Sequence, residues 1–219
     1  MRRFLILKLQ GPMQAWGEHT FEGVRPSADI PTKSAILGLL AACLGIRRND
    51  QESLKTLVEG IHTAVRVDQK EINSQKITDY HTILDARVDY RGLKSHTNSI
   101  QTWREYLCDA VFTVAIWKAE NCSLPLDRIA EALNRPHFTP YLGRRSCPIA
   151  RPLFEKIVET NNFLDALATV PPADGVVYSD ENLGNGRAEV FRDRPLLNQP
   201  RQFGNRTVYS YPGGIHVPE

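Results

Sequence analysis

The chain has 219 residues and a mass of 24.7 kDa, a size that suits one large domain or two small domains packed together. Its residues are 42% hydrophobic and 24% charged, a balance that excludes a disordered or fibrous chain. The 27 Lys and Arg residues nearly cancel the 25 Asp and Glu residues, which leaves a net charge of +2. A wholly basic nucleic-acid coat protein is therefore excluded, and any contact with RNA or DNA requires basic residues that are gathered locally.

The composition also argues against a membrane segment and a metal site. The apolar run after the two N-terminal arginines ends at Lys8, well short of the roughly 7–15 residues of a signal-peptide core. The longest apolar stretch, residues 35–46, is shorter than the roughly 20 residues that cross a bilayer. The cysteines form no Cys-x-x-Cys pair and the histidines are scattered. We therefore expect a cytoplasmic protein with reduced thiols, no metal and no cofactor.

The predicted elements begin with a strand and a capped helix. Residues 3–9 are apolar on both sides, which predicts a central strand. A long polar loop leads to a helix that Thr32 or Ser34 caps and that Gly45 ends. The next elements are a short helix to about Glu59, strands at 61–67 and 110–117, and a helix that Ser123 caps and Pro136 closes.

We interpret residues 1–150 as the order strand, helix, strand, strand, helix, strand, in which the short helix before residue 60 is an addition. This order predicts an α+β fold with a ferredoxin-like domain, the layout that RNA-recognition modules also use. Residues 78–105 show no periodicity and are long for a connection, so we interpret them as a functional insertion. The remaining residues, 151–219, predict a small, mostly β C-terminal domain with strand-like pieces near 174–178, 187–191 and 206–211.

The first candidate site is the start of the helix near residue 33. A helix N-terminus presents unpaired backbone N–H groups that bind anions, and Lys33 stands there between two hydroxyl residues, Thr32 and Ser34. These three residues suit a phosphate. The alternative is ordinary capping by Thr32 or Ser34 with a solvated Lys33. The surrounding glycines do not have the spacing of a P-loop.

The second candidate site is the insertion at 78–105. Its four basic and four acidic residues balance, so it is not a simple electrostatic patch. Interleaved aromatic residues and histidines are typical of stacking and hydrogen bonding to unpaired bases. Alternatively, Trp103 and Tyr106 root the insertion in the core. A metal-free ribonuclease is a further possibility, since proton transfer at RNA suits His and Lys side chains; its residues would be Tyr80, His81, Lys94 and His96.

The third candidate site is the segment 135–151, which holds four arginines, one histidine and no acidic residue. Within it we name residues 139–148 the Gly/Arg loop, where Gly143 precedes Arg144 and Arg145. A glycine allows the backbone to approach a phosphodiester closely, and arginines bind phosphate oxygens. A solvated loop is the alternative, but the absence of counter-charges favours a polyanion partner.

Six runs of sequence, taken in order, resemble one family. They are GPMQAWG (11–17), FEGVRPS (21–27), PTKSAILGLLAACLGI (31–46), DYHTILDARVDYRGLKSH (79–96), IQTWREYLCDA (100–110) and PYLGRRSCP (140–148). These runs closely resemble the CasD subunits of the type I-E CRISPR surveillance complex, Cascade, which are RAMP-superfamily proteins. The similarity extends from residue 1 to about residue 154 and thins over the rest of the chain.

The resemblance implies a ferredoxin-like core whose insertion at 78–105 forms a thumb across an RNA. It implies a non-catalytic subunit in antiviral defence, which grips the 5′ handle of the CRISPR RNA and caps the filament of backbone subunits beside the large subunit. Target DNA is then met indirectly, through base pairing with the guide. The alternative is a metal-independent endoribonuclease that processes precursor CRISPR RNA. The separation of Lys94 from His96 favours binding over cleavage.

The resemblance carries predicted RNA-binding residues in three segments and no predicted catalytic residue. In the first loop and helix start they are Gln14, Trp16, Arg25, Thr32, Lys33 and Ser34. In the thumb they are Tyr80, His81, Arg91, Lys94, His96 and Arg104. In the Gly/Arg loop they are Tyr141, Gly143, Arg144, Arg145 and Ser146.

Overall fold

The fold combines one large antiparallel sheet, a smaller sheet that carries a long strand pair, and helices on both faces of the large sheet. The computed structural model describes residues 1–18, 20, 22–68, 75–84, 99–197 and 202–212. Its strands are β1 (Arg2–Gln10), β2 (Met13–Gln14), β3 (Trp16–Gly17), β4 (Val24–Arg25), β5 (Ser27–Ala28), β6 (Ile61–Val67), β7 (Lys76–Leu84), β8 (Ser99–Cys108), β9 (Val111–Lys118), β10 (Phe154–Thr160), β11 (Val177–Ser179), β12 (Arg187–Pro195) and β13 (Phe203–Tyr211). Its helices are α1 (Lys33–Leu44), α2 (Gln51–Gly60), α3 (Leu126–Asn134) and α4 (Phe163–Ala168).

The large sheet has, among the described residues, seven strands in the order β10-β1-β9-β6-β11-β13-β12. The predicted central strand is confirmed, since β1 pairs with β10 on one side and with β9 on the other. Side chains of a strand alternate between the two faces of a sheet. Phe4 and Ile6 accordingly lie in one apolar cluster, and Leu5, Leu7 and Leu9 lie in the other.

The helices cover these two faces unequally. Helices α1, α2 and α3 pack on the larger cluster, and the short helix α4, which the sequence pattern does not predict, packs on the smaller one. Thr32 caps α1 and Gly45 ends it with a φ of +77°, as predicted. Ser123 does not cap α3, because that helix begins after Pro125 and has no side-chain cap. Among the described residues, no helix has the length and apolar character needed to cross a membrane.

The C-terminal strands belong to the same sheet as the N-terminal strands. Strand β10 pairs with β1, β11 pairs with β6, and β13 pairs with β11. The hydrogen-bonded sheet therefore crosses the predicted domain boundary at residue 150. The physical reason is that an unpaired edge of β6 would leave its backbone N–H and C=O groups without partners.

The described residues of the predicted insertion at 78–105 lie on a pair of long antiparallel strands. Strand β7 pairs with β8 from Lys76↔Leu107 to Leu84↔Ser99. We call β7 and β8 together the arm. Strand β4 joins the other edge of β8 in parallel. Almost every side chain of β7 is exposed, and a strand that buries neither face needs no alternation of apolar and polar residues, so the periodicity test missed it.

Candidate nucleic-acid interface

Arg144 ties together three segments that the sequence singles out. Its guanidinium donates one hydrogen bond to the carbonyl oxygen of Glu105 on the arm and another to the carbonyl oxygen of Arg25 on β4, each 3.0 Å long. The same guanidinium lies 4.7 Å from the ring centroid of Tyr106. The structure therefore brings the first loop, the arm and the Gly/Arg loop to one place. It also gives Arg144 an architectural role, since its donors are directed at backbone carbonyls.

The turn of the Gly/Arg loop depends on Gly143. Its φ is +86°, and a Cβ at this position would lie 1.8 Å from the carbonyl oxygen of Ala15, so only glycine fits. The neighbouring amide of Ala15 donates to the carbonyl of Leu142 at 3.1 Å. Glycine at 143 thus allows close packing of the loop against the protein's own chain. A phosphodiester is not needed to explain it.

The outer side of the Gly/Arg loop is open to solvent. Tyr141, Arg145 and Ser146 are exposed, and Tyr141 retains 39% of its accessible surface. Arg145 makes no ion pair with any described residue, in contrast to Arg144. Behind it, burial raises the pKa of the Cys147 thiol, so this thiol stays neutral. Arg145 is therefore the loop residue whose charge is available to an external anion.

The arm carries an exposed aromatic pair. Tyr80 and Trp103 are register partners, their ring centroids lie 5.6 Å apart, and they are 54% and 45% exposed. The prediction that Trp103 roots the insertion in the core is wrong, because this side chain is exposed and belongs to neither apolar cluster of the described residues. The same prediction is confirmed for Tyr106, which is 5% exposed.

The other predicted residues of the arm lie partly against it. Arg104 is half-buried and its Nε donates to the hydroxyl of Thr102 at 3.0 Å. Its register partner on β4, Arg25, donates to the carbonyls of Glu22 and Val24. His81 is half-buried, and its Nδ1 has no hydrogen-bond partner among the described residues. Arg91, Lys94 and His96 lie outside the described residues.

Gln14 and Trp16 do not face solvent. They are 0% and 1% exposed, Gln14 donates to the carbonyl of Ala110 at 2.5 Å, and the Trp16 ring packs edge-on against Phe112. A side chain without accessible surface cannot touch RNA, so the predicted RNA contacts of these two residues are corrected to packing roles.

The start of α1 binds an anion, but the anion is part of the protein. The backbone N–H of Lys33 donates to the carboxylate of Asp193 at 2.7 Å, and the Lys33 ammonium donates to Asp180 at 2.6 Å. Arg206 bridges both carboxylates and binds Asp193 through two nitrogens. Asp180 also accepts from the backbone N–H of Thr63 at 2.9 Å. We call Lys33, Asp180, Asp193 and Arg206 the charge network.

The charge network is buried and neutral. The side chains of its four members are between 5% and 13% exposed, and two cations face two carboxylates. Burial is the largest influence on the pKa of Arg206 and lowers it, but the hydrogen bonds to Asp193 and the charges of both carboxylates together raise it above its ordinary value. The predicted phosphate site at Lys33 is therefore occupied by carboxylates from the C-terminal strands. Thr32 caps the helix through Ala35, and its hydroxyl lies 3.3 Å from that of Ser34.

The sequence does not reveal the two carboxylates that bind Lys33. Asp180 and Asp193 stand 147 and 160 residues from Lys33, and no local signal connects them. The exposure of Trp103 has no local signal either, because its neighbours in the sequence suit a strand that buries the ring equally well. No three His, Cys, Asp or Glu side chains of the described part of the chain cluster in a way that would hold a metal ion.

Comparisons with known proteins give the family of the chain and solved structures with a similar fold. The chain matches the CRISPR-associated protein (Cas_Cas5) family over residues 4–209. It is 48% identical over 225 aligned residues to the CRISPR system Cascade subunit CasD of Escherichia coli (strain K12), with 100% of both chains covered. A chain of a solved CRISPR RNA-guided surveillance complex superposes with a TM-score of 0.72 at 29% identity, covering 96% of this chain and 90% of that one.

A crystal structure of a Cas protein superposes with a TM-score of 0.66 at 28% identity, covering 96% of this chain and 98% of that one. The resemblance read from the six motif runs is thereby confirmed, and so is the mixed α/β architecture with antiparallel sheets. Because the family match spans nearly the whole sequence, this chain belongs to the CRISPR-associated protein (Cas_Cas5) family.

Proposed function

We propose that this chain is a subunit of a type I-E Cascade complex and that it binds the 5′ handle of the CRISPR RNA without cutting it. The observation that carries this proposal is the full-length relation to the Cascade subunit CasD of Escherichia coli. The subunit would cap the filament of backbone subunits and lie beside the large subunit. It would meet target DNA only through the guide, whose bases do the pairing.

The fold supports this role. Strands β10-β1-β9-β6 follow one another in antiparallel order, and α1 and α3 pack on one face of them. We interpret this order as that of a ferredoxin-like domain, which RNA-recognition modules use to present a platform and projecting loops. The arm emerges between β6 and β9 along the chain, which is where a thumb would lie.

The junction at Arg144 supports the location of the interface. It holds the exposed outer side of the Gly/Arg loop next to β4 and the base of the arm. Arg145 and Ser146 would then contact phosphates, while Tyr141, Tyr80 and His81 would contact bases and sugars. We extend the interface to Arg25, Arg104, Arg91, Lys94 and His96 from their positions in the sequence. Gln14, Trp16 and Lys33 are left out because they are buried.

The charge distribution supports a local interface. The net charge of the whole chain is only +2, and the two cations of the charge network are neutralised internally. Arg145, by contrast, is exposed and unpaired within the described residues. Because phosphate contacts dominate the affinity of proteins for nucleic acid, binding would centre on this loop rather than spread over the surface.

The testing experiment compares two guide RNAs that differ only in the 5′ handle. Fluorescence anisotropy with the purified full chain, and pull-down with the backbone subunits, should show tighter binding to the RNA that carries the handle. The RNA should be recovered at full length both with magnesium and with a chelator. Equal binding to the two RNAs would overturn the handle assignment. Specific cleavage that His96→Ala abolishes would instead favour the endoribonuclease.

A further inference from the structure

We propose that Trp103, supported by Tyr80, is a platform on which an unpaired base of the bound RNA stacks. This inference rests on the proposed RNA-binding function and adds to it a residue that the motif comparison does not assign. The exposed surface of Trp103 is the first observation that supports it. The chain has three tryptophans, of which Trp16 and Trp117 are 1% and 3% exposed and Trp103 is 45% exposed. Trp103 is thus the tryptophan whose ring surface is open to a ligand.

The backbone holds Trp103 rigidly in this exposed position. It lies on β8, which has a neighbouring strand on each side, and its register partners are Tyr80 on β7 and Val24 on β4. Its amide donates to the carbonyl of Gly23 at 3.0 Å. A preformed surface of this kind loses little conformational entropy when a ligand binds.

The indole is also supported from the side. A Cβ added to Gly23 would lie 3.2 Å from Cζ3 and 3.4 Å from Cε3 of Trp103, so the ring rests close to the glycine backbone. The Tyr80 ring lies 5.6 Å away at an interplanar angle of 57°. The ring is thus fixed at its edges while nearly half of its surface stays accessible.

The chemistry of this row suits a base and not a phosphate. Tyr80, Trp103 and Val24 carry no charge, whereas the adjacent row of register partners consists of Asp79, Arg104 and Arg25. Successive side chains of a strand point to opposite faces, so the basic residues lie on the other face of the arm, and an RNA that contacts both sets would cross the arm. Stacking of a base on an aromatic ring needs no charge and tolerates any base.

The extent of the row argues for a base over a protein partner. Along the same face of the arm, the pair Tyr80↔Trp103 is preceded by Thr78↔Glu105 and followed by Thr82↔Gln101. The apolar surface is therefore one pair of residues long, with polar residues on both sides. A stable protein interface needs a broader apolar centre, with about 800 Å² buried on each partner.

The experiment uses the full chain and a single-stranded guide RNA with a 5′ handle. Since Trp103 is the exposed tryptophan, stacking should quench the intrinsic fluorescence in step with binding measured by anisotropy. Trp103→Ala should weaken binding about 5- to 160-fold, the range expected for one base stacked on an aromatic ring. The dependence of affinity on salt should not change, because no charge is removed. Trp103→Phe should restore most of the affinity.

The matched control is Phe203→Ala, which removes another exposed aromatic ring, on β13 (38% exposed), and should leave affinity unchanged. If the wild-type chain binds the RNA but Trp103→Ala binds it equally well and the fluorescence does not change, the platform is wrong while the proposed function stands. If Trp103→Ala binds RNA normally yet fails to join the backbone subunits, the row is a protein contact and the inference is overturned. If the wild-type chain shows no handle-dependent RNA binding, the proposed function itself fails.

Discussion

The carboxylate of Asp193 should be one of the most important polar groups for the stability of this protein. Its side chain is 5% exposed. It accepts hydrogen bonds from the backbone N–H of Lys33 at 2.7 Å and from Arg206 at 2.6 and 2.9 Å. The substitution Asp193→Ala would remove all three bonds at once.

The size of the effect follows from what the substitution leaves behind. The first N–H of α1 would lose its acceptor, and Arg206, whose side chain is 13% exposed, would lose its bidentate partner. Removing one member of a buried ion pair costs about 3–5 kcal/mol, because an uncompensated charge stays buried. With a urea slope of roughly 2–3 kcal/mol/M, the unfolding midpoint should fall by about 1–2.5 M.

Urea unfolding of the full chain, followed by circular dichroism, measures this effect. The matched control is Asp127→Ala, because Arg3 also binds both carboxylate oxygens of Asp127 through two nitrogens, at 2.8 and 3.0 Å. Those two side chains are 47% and 66% exposed, so this change should leave the midpoint almost unaltered. Equal shifts for the two variants would refute the reasoning and reopen the start of α1 to an external anion.

Three further predictions concern the loop and the sheet. Arg145→Ala should lower the slope of log affinity for guide RNA against log salt by about 0.7, and an unchanged slope in an anisotropy titration would mean that Arg145 touches no phosphate. Gly143→Ala should lower the free energy of unfolding, measured by urea titration, by more than about 1–2 kcal/mol, because the strain of a positive φ and the clash with Ala15 add up. Gly17→Ala should lower it much less, because nothing lies within 4 Å of a Cβ at that position. Similar losses for the two variants would contradict the packing argument. Burial and, secondly, the charge of Lys33 lower the pKa of His62 in the folded chain. The unfolded chain therefore takes up a proton first, and the stability of the protein falls as pH drops through about 6.5. His62→Phe, which can keep the stacking on Trp117, should show a shallower fall in melting temperature between about pH 7 and pH 5, and an unaltered fall would contradict the assignment.

The sequence predicts the local features of the fold well. Strand β1 is readable because both of its faces are buried, so its apolar run is nearly continuous. Helix α1 is readable because its apolar residues recur at helical spacing between a cap at Thr32 and a stop at Gly45. The arm escapes this reasoning because β7 is exposed along almost its whole length and β8 buries only Thr102, Tyr106 and Leu107. The Gly/Arg loop is found from composition alone, and its outer residues Tyr141, Arg145 and Ser146 are exposed in the structure.

The roles of individual site residues depend on partners that are far away in sequence. The sequence predicts Lys33 as a phosphate ligand, but in the structure its backbone N–H binds Asp193. The sequence also predicts Arg144 as a phosphate ligand, but its guanidinium donates to two backbone carbonyls. Trp103 shows the reverse: it is expected in the core and is exposed, because an aromatic residue on a strand gives the same sequence pattern in either case. In each case the residue type indicates which contacts a side chain can make, and its burial in the fold decides which of these contacts it makes.

The central claim is that RNA lies across the arm and the outer side of the Gly/Arg loop. Photocrosslinking of a 4-thiouridine-substituted guide RNA to the full chain, followed by mass spectrometry of the crosslinked peptides, tests it most directly. The account predicts crosslinks on peptides that contain Tyr80, Trp103 and residues 141–146. Crosslinks confined to the start of α1 or to the hairpin of β12 and β13 would contradict it.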